Sequence, residues 1–397
     1  AVAIAAGGDA AESAVDGLAG FVSFEHALAT VRPSADRADD DRFDECAGQW
    51  MFYSSGTTGR PKGIMPGPVG AELGRPQPFC AMLKGLFGFT TESRYLSPAP
   101  LYHAAPAGWT SAAQSLGVPV VVMESFDPEG LLAAVETHRI THLQVVPTHL
   151  VRLLKLPESV RRRSDTSTLE VVVHAAAPCP VEVKRAAIDW LGPILYEYYA
   201  GSEGNGFCVI GPTEWIDHPG SVGRSLQGAV HVTNADGDEV PAGEDGQIWF
   251  ESTRQWEYHH DEAKTASVWD RTRGWSTLGD VGHLDDDGYL YLTDRVSNMI
   301  ISGGVNIYPR EIEDLLIAHP AVLDVAVVGT PDAEMGEQVT AFVQLVPGSE
   351  TPTGDLAVEL IEYCRAHLAH FKCPREVRVV DELPRLPTGK LLKRLLQ

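Results

Sequence analysis

The chain has 397 residues, 44% of them apolar and 21% charged. That is a composition of folded domains rather than of a disordered or fibrous chain, and it is long enough for two or three of them. Thirty-one basic against 54 acidic residues give a formal charge of −23, which argues against non-specific binding to DNA or RNA and against an anionic membrane face, but leaves room for a nucleotide held in one local pocket.

No apolar run reaches the ~18–20 residues that span a bilayer. No basic n-region opens the chain as in a secretory signal. The six cysteines, Cys46, Cys80, Cys179, Cys208, Cys364 and Cys373, form no CxxC pair, so reduced thiols and a cytoplasmic location are expected. The opening Ala1-Val2-Ala3-Ile4-Ala5 lacks a Met and reads as a strand already inside a domain, which suggests an N-terminally shortened chain.

In chain order, Phe24 to Leu28 reads as a short helix and Asp36 to Glu45 as a solvated charge run. Trp50 to Tyr53 reads as a strand entering a Gly/Thr-rich loop. Strand-like segments at Val118–Met123 (buried), Thr141–Val146 and Glu170–His174 then alternate with helical ones at Gly130–His138, His149–Lys155 and Val181–Leu191. Such alternation predicts βαβ units and a parallel sheet. After about Pro219 the segments shorten and carry Gly/Asp/Asn turns. Val230–Thr233, Gly246–Glu251 and Tyr289–Thr293 read as strands of a small antiparallel, barrel-like subdomain. Beyond Arg295, helices at Pro309–Ile317 and Asp355–His367 with strands at Val322–Val328, Val339–Val346 and Val377–Val380 predict a small α+β domain. The expected organisation is α/β: a large domain over residues 1–294 with parallel or mixed sheets and the barrel-like part, then a small mobile domain over residues 295–397.

The strongest chemical signal is Ser54-Ser55-Gly56-Thr57-Thr58-Gly59-Arg60-Pro61-Lys62-Gly63. Its glycines permit close backbone approach, so successive N–H groups can form an anion-binding nest, while the hydroxyls and Lys62 can meet phosphate oxygens. It is not the P-loop GxxxxGK[ST], because Gly63 follows Lys62 where that motif needs a metal-binding hydroxyl. An ordinary P-loop phosphotransferase is thereby disfavoured.

The string resembles the phosphate loop of the ANL superfamily of adenylate-forming enzymes, and six further segments match that family in order. Pro100-Leu101-Tyr102-His103 is similar to the segment that lines the acyl pocket, so the resemblance assigns His103 and, further on, Gly201 to the substrate. His174-Ala175-Ala176-Ala177-Pro178 resembles the adenine-side loop, giving Ala176, Ala177 and Pro178 to the nucleotide. Tyr199-Ala200-Gly201-Ser202-Glu203 resembles Y-G-x-T-E. It implies Tyr199 and Ala200 beside adenine, Ser202 at the α-phosphate and Glu203 on Mg²⁺, a hard cation that takes oxygen ligands. Ala200 in place of Gly and Ser202 in place of Thr are departures. Asp280 in Gly274–Asp280 resembles the ribose ligand. The segment from Asp294 to Pro309 resembles the interdomain hinge, with Asp294 as pivot, Arg295 at ribose or phosphate, and Gly303 and Gly304 beside the coenzyme A chain. Leu386-Pro387-Thr388-Gly389-Lys390 resembles the C-terminal P-x-G-K element, with Lys390 as the main catalytic residue of adenylation.

The resemblance runs from about Trp50 to the C-terminus. Members carry a longer stretch before the phosphate loop, which again implies a missing N-terminal part. It further implies an ATP-dependent acyl-CoA synthetase using ATP, Mg²⁺ and coenzyme A on a small, hydrophobic carboxylic acid (fatty, aryl or alicyclic). No nucleic acid and no membrane span are expected, and a homodimer is a possible assembly. Transfer to a carrier protein instead of coenzyme A, and an inactive nucleotide-binding module, are the alternatives.

Overall fold

The computed structural model describes residues 3–5, 21–23, 50–54, 62–66, 78–252, 255–347, 353–385 and 391–397. The predicted helix at Phe24–Leu28, the charge run, Cys46, most of the phosphate loop and Leu386–Lys390 lie outside the described residues. The chain divides into two compact units, residues 1–48 with 70–74, and residues 49–69 with 75–397. In the first, Ala3–Ala5 pairs in parallel with Phe21–Ser23.

The second unit is built on a 13-stranded sheet. Val120–Val122, Tyr95–Ser97, His142–Val145, Val171–His174 and Leu195–Ala200 lie side by side in parallel. Helices Ala104–Ser115, Pro128–His138, Pro147–Leu154 and Val181–Leu191 connect or flank these strands. Side chains alternate across each strand. Leu96, Leu143, Val145, Val172 and Leu195 face one apolar layer with Leu131, Val135 and Leu150. Tyr95, Val171, Val173 and Tyr198 face the other, with Phe87, Phe89 and Trp109. A parallel sheet must be covered on both faces, and this one is.

Val118–Met123 departs from expectation. A run of valines reads as a doubly buried strand, but only Val120–Val122 is extended, it pairs on one side, and Val122 is 48% exposed. Among the described residues it is the edge of the sheet. The antiparallel strands of the barrel-like part continue the same sheet. Phe207–Ile210 pairs with Leu195–Ala200, and Ser221–Ser225, Leu290–Arg295, Asp280–Leu284 and Gly246–Glu251 follow in one continuous order, with Val230–Thr233 on the last.

A smaller three-stranded sheet pairs Phe52–Ser54 with Lys62–Pro66, and that strand with Trp256–Tyr258. Residues 295–397 form a five-stranded sheet centred on the long pair Val322–Asp332 and Gly336–Leu345, with Glu376–Val380 parallel to the latter. Val325 and Val327 face helices Pro309–Ile317 and Thr353–His367, while Ala326 and Val328 face Phe342 and Leu383. The helical side is continuous with the helix layer of the large sheet. Lys155 tightens that junction by donating to Val322 O at 2.5 Å.

Three histidines are buried in the large sheet and its helices, and burial lowers the pKa of each: His142, His149 (to about 3) and His174. Burial keeps His142 neutral even though its Nε2 contact with Phe87 O at 2.9 Å favours the charged ring, and His149 stacks on Phe126 at 3.9 Å. An unfolded histidine protonates near 6.5, so the unfolded chain takes up protons that the folded one refuses. Stability is therefore full above that pH and falls as pH drops below it, by up to about 4 kcal/mol per pH unit if all three act together. Urea midpoints should fall steeply from pH 7 to pH 5, and His149→Leu should flatten the slope by about one proton's worth. Parallel profiles for the variant and its parent would contradict this.

Candidate active site

Ligands of open α/β sheets gather outside the carboxyl ends of the parallel strands. Here the loops leaving those ends after Ser97, His174 and Ala200 carry Pro100–His103, Ala175–Pro178 and Gly201–Glu203. The fold thus brings three of the sequence-predicted segments to one edge. His103 is the N-cap of helix Ala104–Ser115 and packs against the Tyr102 ring at 4.6 Å. Ala175 is buried, whereas Ala176, Ala177 and Pro178 stand exposed. Ala176 has φ +72°, a left-handed conformation that costs an L-residue roughly 1–2 kcal/mol, and such strain concentrates at binding loops.

Two polar clusters flank this edge. In the first, antiparallel register sets Asp280 opposite Arg295. Arg295 Nε donates to Asp280 Oδ1 at 2.8 Å, and the Tyr199 hydroxyl donates to Oδ2 at 2.5 Å. Asp280 is 6% exposed. The Asp280 carboxylate raises the pKa of Arg295, and burial, followed by that same carboxylate, keeps the Tyr199 hydroxyl protonated. A carboxylate has about four lone-pair sites, so two remain for a vicinal diol.

In the second cluster, the Tyr258 hydroxyl donates to Glu203 Oε1 at 3.0 Å, and Lys62 Nζ lies 5.2 Å from the centre of the Tyr258 ring. Burial first, then Lys264, lowers the pKa of Lys62, with Asp261 and Glu203 opposing. Burial and the Glu203 charge raise that of Tyr258, which keeps it a neutral donor. Gly201 has a packing reason for being glycine: a Cβ there would fall 2.7 Å from Leu278 Cδ1 and 2.8 Å from Glu203 Oε2. Ser202 beside it is exposed and Ala200 half-buried. Of the phosphate loop, Ser54 ends its strand and Lys62 opens the next. Ser55, Gly56, Thr57, Thr58 and Gly59 lie outside the described residues, as does Lys390.

Glu203 fits a hard divalent cation. It is a carboxylate with one oxygen fixed by a hydroxyl and the other directed beside a glycine, within electrostatic reach of Lys62 and Arg295. Among the described residues no group of three or more His, Cys, Asp or Glu side chains could hold a metal by itself. A single carboxylate sharing its cation with phosphates needs none.

In the segment expected to act as a hinge, Asp294 Oδ1 accepts from Arg295 N (2.7 Å) and Asn298 Nδ2 (2.8 Å), and Oδ2 from Arg310 N at 3.1 Å. One carboxylate thereby caps helix Pro309–Ile317 and fixes the strand end before it. Gly303 and Gly304 form the two-residue turn of the hairpin Ile300–Ser302/Val305–Ile307, with φ +58° and +79°. A turn with positive φ at both centres demands such residues whatever passes beside it.

Two functional groupings escape motif reading. Tyr258 looks like a core aromatic in Trp256-Glu257-Tyr258, and its only sequence signal is the charged Asp261-Glu262-Ala263-Lys264 that follows. Lys184 and Glu197 carry no motif signal of their own. Yet Lys184 is fully buried, donates to Glu197 Oε2 at 2.7 Å, and lies 4.8 Å from the Trp215 ring centre. His174 Nε2 stands 3.5 Å from the same oxygen. The five described cysteines are free and buried, and the mechanism proposed below uses none of them.

Residues 20–255 match the family of AMP-binding enzymes, and residues 311–390 match the AMP-binding enzyme C-terminal domain. The chain belongs to this adenylate-forming family. Within it, the similar proteins include acyl-CoA synthetases and CoA ligases. The chain is 34% identical over 365 residues to the feruloyl-CoA synthase of an Amycolatopsis species, covering 90% of this chain and 72% of that protein. It is 35% identical over 353 residues to the 3-[(3aS,4S,7aS)-7a-methyl-1,5-dioxo-octahydro-1H-inden-4-yl]propanoyl:CoA ligase of Rhodococcus jostii, covering 87% of this chain and 64% of that one. The chain thus spans about two thirds of the length of such relatives. Among solved structures, the o-succinylbenzoate CoA synthetase of Bacillus subtilis in complex with its acyl-adenylate intermediate superposes with a TM-score of 0.77 at 25% identity, over 97% of this chain and 76% of that one. Among the described residues, no helix is long and apolar enough to cross a membrane.

Proposed function

We propose that this chain is an ATP-dependent carboxylate–CoA ligase that forms an acyl-adenylate and then an acyl-CoA thioester, releasing pyrophosphate and AMP. The observation that carries it is the meeting of two clusters at one sheet edge: Asp280 gripped by Tyr199 and Arg295, beside Glu203 with Tyr258 and Lys62.

The ribose hydroxyls donate to Asp280, and the strained loop at Ala176–Pro178 with Tyr199 and Ala200 accepts the adenine. The acid's carboxylate attacks the α-phosphorus in line, and pyrophosphate leaves. The obstacle is electrostatic, an anion approaching a polyanion. Lys62, the N–H groups between Ser54 and Gly59, Ser202 and Lys390 offset the developing charge. Glu203 would hold Mg²⁺, which supplies further neutralisation of the phosphates. In the second step the coenzyme A thiol, admitted beside Gly303 and Gly304 after residues 295–397 turn about Asp294, attacks the acyl carbonyl and AMP departs. The acid is hydrophobic and lies between His103 and Gly201, near small Ala104, Ala105 and Gly108. The ring-bearing acids in the relatives' names support a bulky acyl group. The cytoplasm, where thiols stay reduced, is the fitting compartment.

The first half-reaction is checked by exchange of labelled pyrophosphate into ATP. Exchange that requires a carboxylic acid and a divalent cation is expected. Exchange absent from folded protein with every acid in a fatty, aryl and alicyclic panel contradicts the assignment.

A further inference from the structure

The sheet that carries both ends of the phosphate loop also carries Tyr258. Antiparallel pairing sets Tyr258 opposite Ile64, and His259 N donates to Gly63 O at 2.8 Å just beyond. Tyr258 is 7% exposed. Its backbone N–H donates to Thr265 Oγ1 at 2.9 Å, and that hydroxyl donates in turn to Asp261 O at 2.9 Å. Its ring stands edge-on to Trp256, 5.2 Å between centres. Fixed this way from behind, the side chain leaves its own sheet at the hydroxyl, which reaches Glu203 on the loop that follows the parallel strand Leu195–Ala200. One residue thus touches the carboxylate of one sheet and the ammonium group of the other.

We propose that Tyr258 is a positioning residue for the cation–triphosphate pair: its hydroxyl locks one oxygen of Glu203, so that the other is presented to the divalent cation accompanying ATP, while its ring face holds Lys62 toward the phosphates. This rests on the proposed function, in which Glu203 is the metal ligand. Hydrogen bonds to ligating carboxylates orient them, and their loss typically weakens metal binding 10–100-fold. The oxygen left open, Oε2, is the one that a Cβ at Gly201 would crowd at 2.8 Å. The glycine and the tyrosine therefore serve the same carboxylate from two sides.

Tyr258→Phe keeps the ring and removes the hydroxyl. The test is titration of Mn²⁺ into protein with saturating ATP, followed by the electron paramagnetic resonance signal of free Mn²⁺. ATP binding in EDTA is measured in parallel by calorimetry. Mn²⁺ should bind the variant 10–100-fold more weakly, with metal-free ATP affinity and thermal midpoint unchanged. Tyr258→Leu, which also removes the ring face under Lys62, should weaken metal-free ATP binding as well. Unchanged Mn²⁺ affinity in Tyr258→Phe overturns the proposal. So does an equal loss of Mn²⁺ and metal-free ATP affinity with a lowered thermal midpoint, which marks a merely structural side chain. Failure of the parent chain to bind Mn²⁺ with ATP would remove the proposed function itself, and Tyr258 with it.

Discussion

Lys390→Ala should slow acyl-adenylate formation on the order of 10²–10³-fold, the loss typical of removing one preorganised charge-stabilising donor, while leaving the reaction of preformed acyl-adenylate with coenzyme A nearly untouched. The asymmetry follows from the chemistry. In the first step negative charge builds on the α-phosphate as pyrophosphate leaves, and an ammonium group delivered from the small domain meets it. In the second step the attack is on a carbonyl, AMP is already a good leaving group, and in the proposed cycle the small domain has turned. The segment that carries Lys390 is anchored on both flanks. Arg385 pairs with Leu391 in an antiparallel bridge, Leu392 N donates to Pro384 O at 2.8 Å, and Arg385 grips Asp324 with two bonds of 2.6 and 2.7 Å. Single-turnover measurement of each half-reaction checks the split. Equal losses in both steps, or none in the first, would remove Lys390 from its role.

Lys184→Met should destabilise the fold by about 3–5 kcal/mol, the cost of leaving one partner of a buried ion pair uncompensated. Lys184 has no exposed surface and Glu197 almost none. Burial already raises the pKa of Glu197, with Lys184 as the chief opposing influence. Without the lysine that carboxyl would rise further. A carboxyl raised in the folded state is least costly below its unfolded value and most costly above its folded one. The deficit of Lys184→Met should therefore shrink as pH falls toward the ordinary glutamate range and widen as pH rises through the elevated value. Lys184→Met with Glu197→Leu, which removes both charges, should recover most of the loss. Urea denaturation of the three proteins across pH tests this. A single variant within about 1 kcal/mol of its parent, the value of an exposed pair, would show that the pair carries little. The consequence reaches function, because the same strand carries Tyr199 and leads into Glu203.

What could be read from the sequence, and what could not, divides along physical lines. Helices Val181–Leu191 and Pro309–Ile317 and strands Val230–Thr233 and Gly246–Glu251 fall where periodicity puts them, because each pattern reports directly on one face turned to a core. The Gly- and Ser/Thr-rich motifs stand out in the sequence because close backbone approach to a phosphate would restrict residue type sharply. Val118–Met123 misled because a run of valines is the same string at the centre of a sheet and at its edge, and only its neighbours decide. The helix Ala104–Ser115 was hidden by its composition: small residues buried on several sides leave weak amphipathicity. Tyr258, Lys184 and Glu197 were missed for a third reason. Their partners stand 55 and 13 residues away in sequence, and a contact from a strand to another sheet's loop, or from a helix to the strand it packs on, leaves no spacing to read.

The most direct measurement is AMP release from ATP and Mg²⁺ with a panel of hydrophobic carboxylic acids, with and without coenzyme A. An acid–CoA ligase releases AMP at a rate that requires both the acid and coenzyme A, with acyl-CoA formed in equal amount. Acid-dependent adenylate formation that coenzyme A fails to discharge would contradict the thioester step and point to another acyl acceptor, such as a carrier protein. No AMP from a folded chain with any acid would contradict the assignment as a whole.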